Sequence, residues 1–130
     1  MMICDDEPDM RLLYGLVFGS RYDVIMVNSG EECIERYAEE TKRGNKISLI
    51  LLDYKLGGML GDSVARKIKE CNETKIILNS AYDVNDVLVR ELESDVLVRE
   101  LESGKYISKY IQKPFDTDRL TDLVAKIVKN

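Results

Sequence analysis

Short apolar runs alternate with helical stretches along this chain, and four of the runs end on polar groups. Met1-Met2-Ile3-Cys4 leads into Asp5-Asp6, and Ser48-Leu49-Ile50-Leu51-Leu52 leads into Asp53. Lys75-Ile76-Ile77-Leu78-Asn79 leads into Ser80, and Tyr110-Ile111-Gln112 into Lys113-Pro114. Strands that alternate with helices predict an α/β fold with a parallel sheet covered on both faces. In such a sheet the carboxyl ends of the strands form the crevice where ligands bind. The alternation therefore brings three carboxylates, a hydroxyl and a lysine toward one point. Clustered carboxylates repel unless a cation joins them, and hard oxygen ligands of this kind suit Mg²⁺. A lysine and a hydroxyl facing a metal-bound carboxylate suggest phosphoryl chemistry on that carboxylate.

The elements follow from local patterns. The first strand is Met1 to Cys4. Pro8 to Gly19 reads as a helix, with Pro8 in its first turn and Leu12, Leu13, Leu16 and Val17 as the apolar stripe. Tyr22 to Val27 is the second strand. Ser29 can cap the next helix with Glu32 as its capping-box partner, and Gly44 ends it. The third strand is Ile47 to Leu52. A glycine-rich loop, Gly57-Gly58-Met59-Leu60-Gly61, precedes a helix from about Asp62 to Cys71 that presents Val64, Ile68 and Cys71. The fourth strand is Thr74 to Asn79, and the last ends at Gln112. A terminal helix from about Thr117 to Lys129 buries Leu120, Leu123, Val124 and Ile127.

Asp86-Val87-Leu88-Val89-Arg90-Glu91-Leu92-Glu93-Ser94 recurs letter for letter as Asp95 to Ser103. One copy is too short to be a unit of a repeat protein. Nine residues at ~100° each make about two and a half turns, so in one continuous helix the copies face opposite ways. The bland reading is a tolerated surface insertion. The sharper one is a helix that projects and pairs with a second chain in a homodimer, with exchange of the last strand and helix as one route. The alternative is a monomer in which one copy packs as the normal helix and the other forms a loop.

With 130 residues, 45% hydrophobic and 33% charged, the chain reads as one globular domain, 1–130, with no linker. A net charge of -5 with no basic tract argues against direct nucleic-acid binding. No stretch approaches the ~20 apolar residues of a membrane span, and no signal peptide is visible. Cys4, Cys33 and Cys71 have no metal-ligand spacing and read as reduced thiols of a cytosolic protein. Taken singly, the polar strand ends are weak signals. Asp5-Asp6 could be a solvated turn, Asp53 a cap, Ser80 an ordinary strand end, Tyr110 half-buried strand lining, and Lys55 and Lys109 a solvated face. Their joint order is hard to obtain by chance.

In that order, and over nearly the whole chain, the residues resemble the CheY-like receiver domain of two-component response regulators. The resemblance implies a doubly wound, flavodoxin-like sheet of five parallel strands in the order 2-1-3-4-5, with helices on both faces. Asp5 and Asp6 match the family's acidic pair that holds Mg²⁺, Asp6 directly and Asp5 through water. Asp53 matches the phosphoacceptor, and the main-chain carbonyl of Lys55 completes the metal's protein ligands. Ser80 matches the switch hydroxyl, Lys113 the phosphate-pairing lysine, and Tyr110 the aromatic switch. Pro114 stands at the family's cis-proline position, and Gly61 at the glycine eight residues after the acceptor.

Two departures stand out. Gly57 replaces the family's usual proline, which loosens the loop after Asp53. The interval from Ser80 to Lys113 is about ten residues longer than usual, mostly through the repeat, and falls on the fourth-helix region of the output surface. The family's activity would be a phosphoryl switch: self-phosphorylation from a donor and slow self-dephosphorylation, not catalysis on a separate metabolite. The chain contains no histidine, so a phosphohistidine would come from another molecule, a sensor histidine kinase or phosphotransfer protein. The remaining partner would be a downstream effector protein or domain, in the cytoplasm.

Two rivals are less well supported. Haloacid dehalogenase-like phosphatases also form an aspartyl-phosphate, but they carry a second aspartate two residues after the nucleophile, where this chain has Lys55. A degenerate receiver acting only as a binding module would not need every site residue, and here all are present, although the repeat could uncouple output from chemistry. No Walker-type glycine-rich loop exists for a nucleotide.

Overall fold

A strand in which every residue is apolar, rather than every second one, belongs in the middle of a sheet covered on both faces. Leu49, Ile50, Leu51 and Leu52 form such a strand, and all four are fully buried. The computed structural model describes residues 1–56, 59–69, 74–81, 107, 109–113 and 116–129. In chain order the elements are β1 (Met2–Cys4), α1 (Pro8–Phe18), β2 (Ile25–Val27), α2 (Gly30–Lys42) and β3 (Leu49–Asp53). Then come β4 (Lys55–Leu56), β5 (Met59–Leu60), α3 (Gly61–Lys69), β6 (Lys75–Ala81), β7 (Lys109–Lys113) and α4 (Thr117–Lys129).

The main sheet runs β2-β1-β3-β6-β7, with every neighbouring pair parallel. Strand alternation divides the core in two. Cys4, Ile50, Leu52, Ile76 and Leu78 pack with Cys33, Tyr37, Val64 and Ile68 of α2 and α3. Ile3, Leu49, Leu51 and Ile77 pack on the opposite face with Tyr14 and Phe18 of α1 and Leu120 and Val124 of α4. Each large apolar side chain buried this way contributes roughly 1.5–3 kcal/mol against leaving it in water.

Local chemistry sets the element ends. The Ser29 hydroxyl accepts the Glu32 N–H at 3.1 Å and starts α2, and Gly44 takes φ +80° just beyond its end. On the α2 side, the Tyr37 hydroxyl bonds to the Thr74 hydroxyl. Thr74 in turn donates to the Ile47 carbonyl at 3.1 Å.

Several expectations shift. The stripe expected to bury α1 is not the buried one: Leu12 is 66% and Leu16 74% exposed, and Leu13 is also exposed, whereas Tyr14 and Phe18 are buried. Met10 and Val17 pack partly beside those two rings, completing an i, i+4, i+7, i+8 face. The larger aromatic surface wins the core side. β2 begins at Ile25 rather than Tyr22, and β3 runs from Leu49 through Asp53. β6 runs on to Ala81, which takes Ser80 into the strand. β7 includes Lys113 as its last residue. The glycine-rich stretch carries a small antiparallel pairing, Lys55 with Leu60 and Leu56 with Met59. Gly57, Cys71, Pro114 and the Asp86–Ser103 repeat lie outside the described residues. Among those described, no helix is long and apolar enough to cross a membrane.

Candidate functional site

β1 sits between β2 and β3, so the chain winds to one side of β1 and then returns to the other. The crevice at such a reversal lies just past the carboxyl ends of β1 and β3. Cys4 pairs with Leu52, so Asp5 and Asp53 follow side by side. The Asp5 N–H still bonds to the Val27 carbonyl at 3.2 Å, which holds the chain in the sheet for one residue beyond β1.

Asp5 is buried, 1% exposed, and Asp53 is 4% exposed, while Asp6 lies on the surface. One carboxylate oxygen from each of the three lies within 4.8 Å of the other two. That spacing and that donor set fit a hard divalent cation with oxygen ligands. The pair Asp5-Asp6 is fixed from below. Asp5 Oδ1 accepts the Glu7 N–H at 3.0 Å, and the Asp5 carbonyl accepts from Arg11 Nη1 at 2.8 Å. The carboxylate thereby closes a tight turn into α1, the kind of local bond that short acidic side chains make.

The segment after Asp53 is tied to the sheet through its backbone. The Tyr54 N–H donates to the Asn79 carbonyl at 2.7 Å, and the Gly61 N–H to the Tyr54 carbonyl at 2.6 Å. A Cβ at Gly61 would fall 2.6 Å from the Asp53 carbonyl oxygen and 2.8 Å from Tyr54 Cα. Glycine is required there by this close approach. Lys55 opens β4 next to Asp53, paired with Leu60.

The remaining expected residues are placed by backbone and register. Asp53 pairs with Asn79, and Ser80 is the next residue, opposite Gln112. Lys113 pairs with Ala81, and Tyr110 with Leu78. Ser80 and Lys113 thus stand on adjacent strands, near the same end of the sheet as the three aspartates.

Two residues beside the site escaped the reading of the sequence. Tyr14 of α1 is buried, and burial pushes its phenol above the ordinary value, with the charges of Asp5, Asp53 and Glu7 adding to the effect. Asn79 is 1% exposed and carries a side-chain oxygen with no partner among the described residues. The Cys4 thiol on the other face is also pushed up, chiefly by a hydrogen bond with Cys33 and then by burial. It donates to the Ser29 carbonyl at 3.3 Å.

Over residues 1–125 the sequence matches the response regulator receiver domain family. It is similar to sporulation initiation phosphotransferase F of Bacillus subtilis (strain 168), at 27% identity over 128 residues, covering 97% of this chain and 90% of that protein. It is also similar to the transcriptional regulatory protein ZraR of Escherichia coli (strain K12). There the identity is 25% over 127 residues, 97% of this chain but 25% of that protein. Among solved structures, the signal receiver domain of a Luxo repressor protein from Vibrio parahaemolyticus superposes with a TM-score of 0.78 at 27% identity, covering 98% of this chain and 88% of that one. The CheY-like receiver domain protein of Methanospirillum hungatei JF-1 gives a TM-score of 0.76 at 20% identity, covering 98% and 91%, and bears on the fold alone.

Proposed function

Because the chain belongs to the response regulator receiver domain family, we propose that it is a phosphoacceptor switch with Asp53 as the acceptor. The observation that carries this reading is the grouping of Asp53 with Asp5 and Asp6 within 4.8 Å at the reversal of strand order. Asp5, Asp6, Asp53 and the main-chain carbonyl of Lys55 would hold Mg²⁺. When bound, Mg²⁺ supplies positive charge that offsets the repulsion among the carboxylates and an incoming phosphoryl group.

The chain's own residues do the rest. An Asp53 oxygen forms the bond to phosphorus while the bond to the donor's imidazole nitrogen breaks, and the electron pair leaves with the donor. Lys113 offsets the charge that arrives. Ser80 donates a hydrogen bond to a phosphoryl oxygen, and Tyr110 fills the space that Ser80 vacates. A local change of charge then biases a two-state element that an effector protein or domain reads. The donor is a sensor histidine kinase or phosphotransfer protein, and a cytoplasmic location goes with this reading. The protein is not an enzyme toward a separate substrate; it phosphorylates and dephosphorylates itself.

Intact-mass measurement after incubation with acetyl phosphate and Mg²⁺ tests the assignment. One phosphoryl group is expected on the wild type and none on Asp53→Asn. Equal incorporation in both would sink it. No incorporation in either would favour a phosphorylation-independent binding module.

A further inference from the structure

Asn79 occupies a place where an aliphatic side chain would fit. Ile77 lies two residues earlier on the same strand, and Ile111 is its partner on β7; both belong to the apolar cluster under α1 and α4. Its backbone carbonyl is committed to the Tyr54 N–H at 2.7 Å. Its side chain is 1% exposed, and Oδ1 has no hydrogen-bond partner among the described residues. Buried polar groups left unpaired are rare and costly, and each needs a reason. The reason lies across the ladder. Asn79 pairs with Asp53, so the two side chains project from the same face of the sheet on adjacent strands. The strand order puts Asp53 between the strand that delivers Asp5 and the strand that carries Asn79. A carboxamide held by no bond at its oxygen can exchange its ends by a half-turn and present its N–H₂ instead.

We propose that Asn79 is a positioning residue for loss of the phosphoryl group: its N–H₂ donates to the carboxyl oxygen of Asp53 that does not carry phosphorus. The inference rests on Asp53 being the phosphoacceptor. In hydrolysis a water oxygen bonds to phosphorus, the bond from phosphorus to Asp53 breaks, and the water's proton leaves on the inorganic phosphate. The electron pair returns to the Asp53 carboxylate, and its charge spreads over both oxygens. A donor to the second oxygen stabilises that charge as it forms. Asn79 thus shortens the life of the phosphorylated state.

The test follows the decay of protein phosphorylated with acetyl phosphate and Mg²⁺ and then desalted, by intact mass. Asn79→Leu is expected to lengthen the half-life about three- to tenfold, the worth of one neutral hydrogen bond. It is also expected to raise the melting temperature, because the unpaired oxygen is gone. Asn79→Ser, which keeps a donor, should decay at a rate closer to that of the wild type. Asn79→Ala makes the same comparison if the leucine variant does not fold. An unchanged or shorter half-life in the apolar variants would overturn the role of Asn79 while leaving Asp53 as the acceptor. A wild type that takes up no phosphoryl group, or an Asp53→Asn variant that takes up as much as the wild type, would overturn the reading of Asp53 itself.

Discussion

Asp5 and Asp6 are neighbours in the chain, yet they have different things to lose. Asp5 is buried and its carboxylate holds the Glu7 N–H at the entry to α1; Asp6 is exposed. Without metal, Asp6→Ala removes only repulsion and should raise the melting temperature slightly. Asp5→Ala strips the half-buried Glu7 N–H of its partner and should cost about 0.5–1.5 kcal/mol. Titration with MgCl₂ in thermal melts checks both, and the Mg²⁺-dependent rise should be smaller in Asp6→Ala than in Asp5→Ala. A rise in the metal-free melting temperature of Asp5→Ala would contradict this account. Tyr14 gives a second prediction. Its phenol is raised from an ordinary value of 10.0, by burial first and then by Asp5, Asp53 and Glu7. A raised acid keeps its proton longer in the folded chain than in the unfolded one. Its contribution is therefore full below about pH 10 and is lost as pH climbs beyond. Denaturant titrations in metal-free buffer from pH 9 to 11 should show a shallower loss of stability in Tyr14→Phe than in the wild type. At this scale the aspartates were legible in the sequence through their joint order with Ser80 and Lys113, each after its own apolar run, and not one at a time. Asn79 and Tyr14 were not. A polar atom's lack of a partner, or a ring's nearness to a charge, exists only once the chain is folded.

At the scale of elements, α3 must begin almost on top of the end of β3. Gly61 permits this, because a Cβ there would meet backbone atoms of Asp53 and Tyr54, which cannot rotate away. Gly61→Ala should cost about 1–3 kcal/mol as an overpacked site and also weaken Mg²⁺ binding, because the displaced atoms belong to Asp53 itself. Denaturant titration and a parallel Mg²⁺ titration measure the two effects; a change in neither would show that the loop yields freely. Ser29→Ala makes a control that touches neither Gly61 nor a carboxylate of the site, losing about 1 kcal/mol through the unfilled N-cap and leaving Mg²⁺ binding intact. Elements with one strong signal were readable in advance: the capped start of α2, the apolar run of β6, and the Leu120/Val124 spacing of α4. The buried face of α1 was not. Met10, Leu12, Leu13, Tyr14, Leu16, Val17 and Phe18 surround the helix with apolar residues, so periodicity could not choose among faces. The short pairing of β4 with β5 was also hidden, because two residues per strand carry no alternation to detect.

At the scale of the whole molecule, the fold explains why the site is assembled from distant stretches: a parallel sheet brings its strand ends together only after each crossover helix has packed. The same logic gives the nine-residue repeat its consequence. Asp86–Ser94 and Asp95–Ser103 lie outside the described residues, but their sequence alone carries a physical consequence. Each copy carries two leucines and two valines. At ~100° per residue, a nine-residue step turns a continuous helix through about two and a half revolutions, so in such a helix Leu88 and Leu92 would face one flank, and Leu97 and Leu101 the other. One sheet can cover only one of those flanks. Burying a side chain of that size is worth roughly 1.5–3 kcal/mol, so in such a helix the copy turned away from the sheet would gain from a partner. A second copy of the chain would offer the same surface, and exchange of the last strand and helix would join two such chains with little new chemistry. Light scattering at micromolar concentration should therefore report a dimer for the full chain and a monomer after deletion of Asp95–Ser103. The deletion variant should still take one phosphoryl group at Asp53, because the residues of the site lie outside the deleted copy. A full-length chain that is strictly monomeric would show that the protein accommodates both copies within itself.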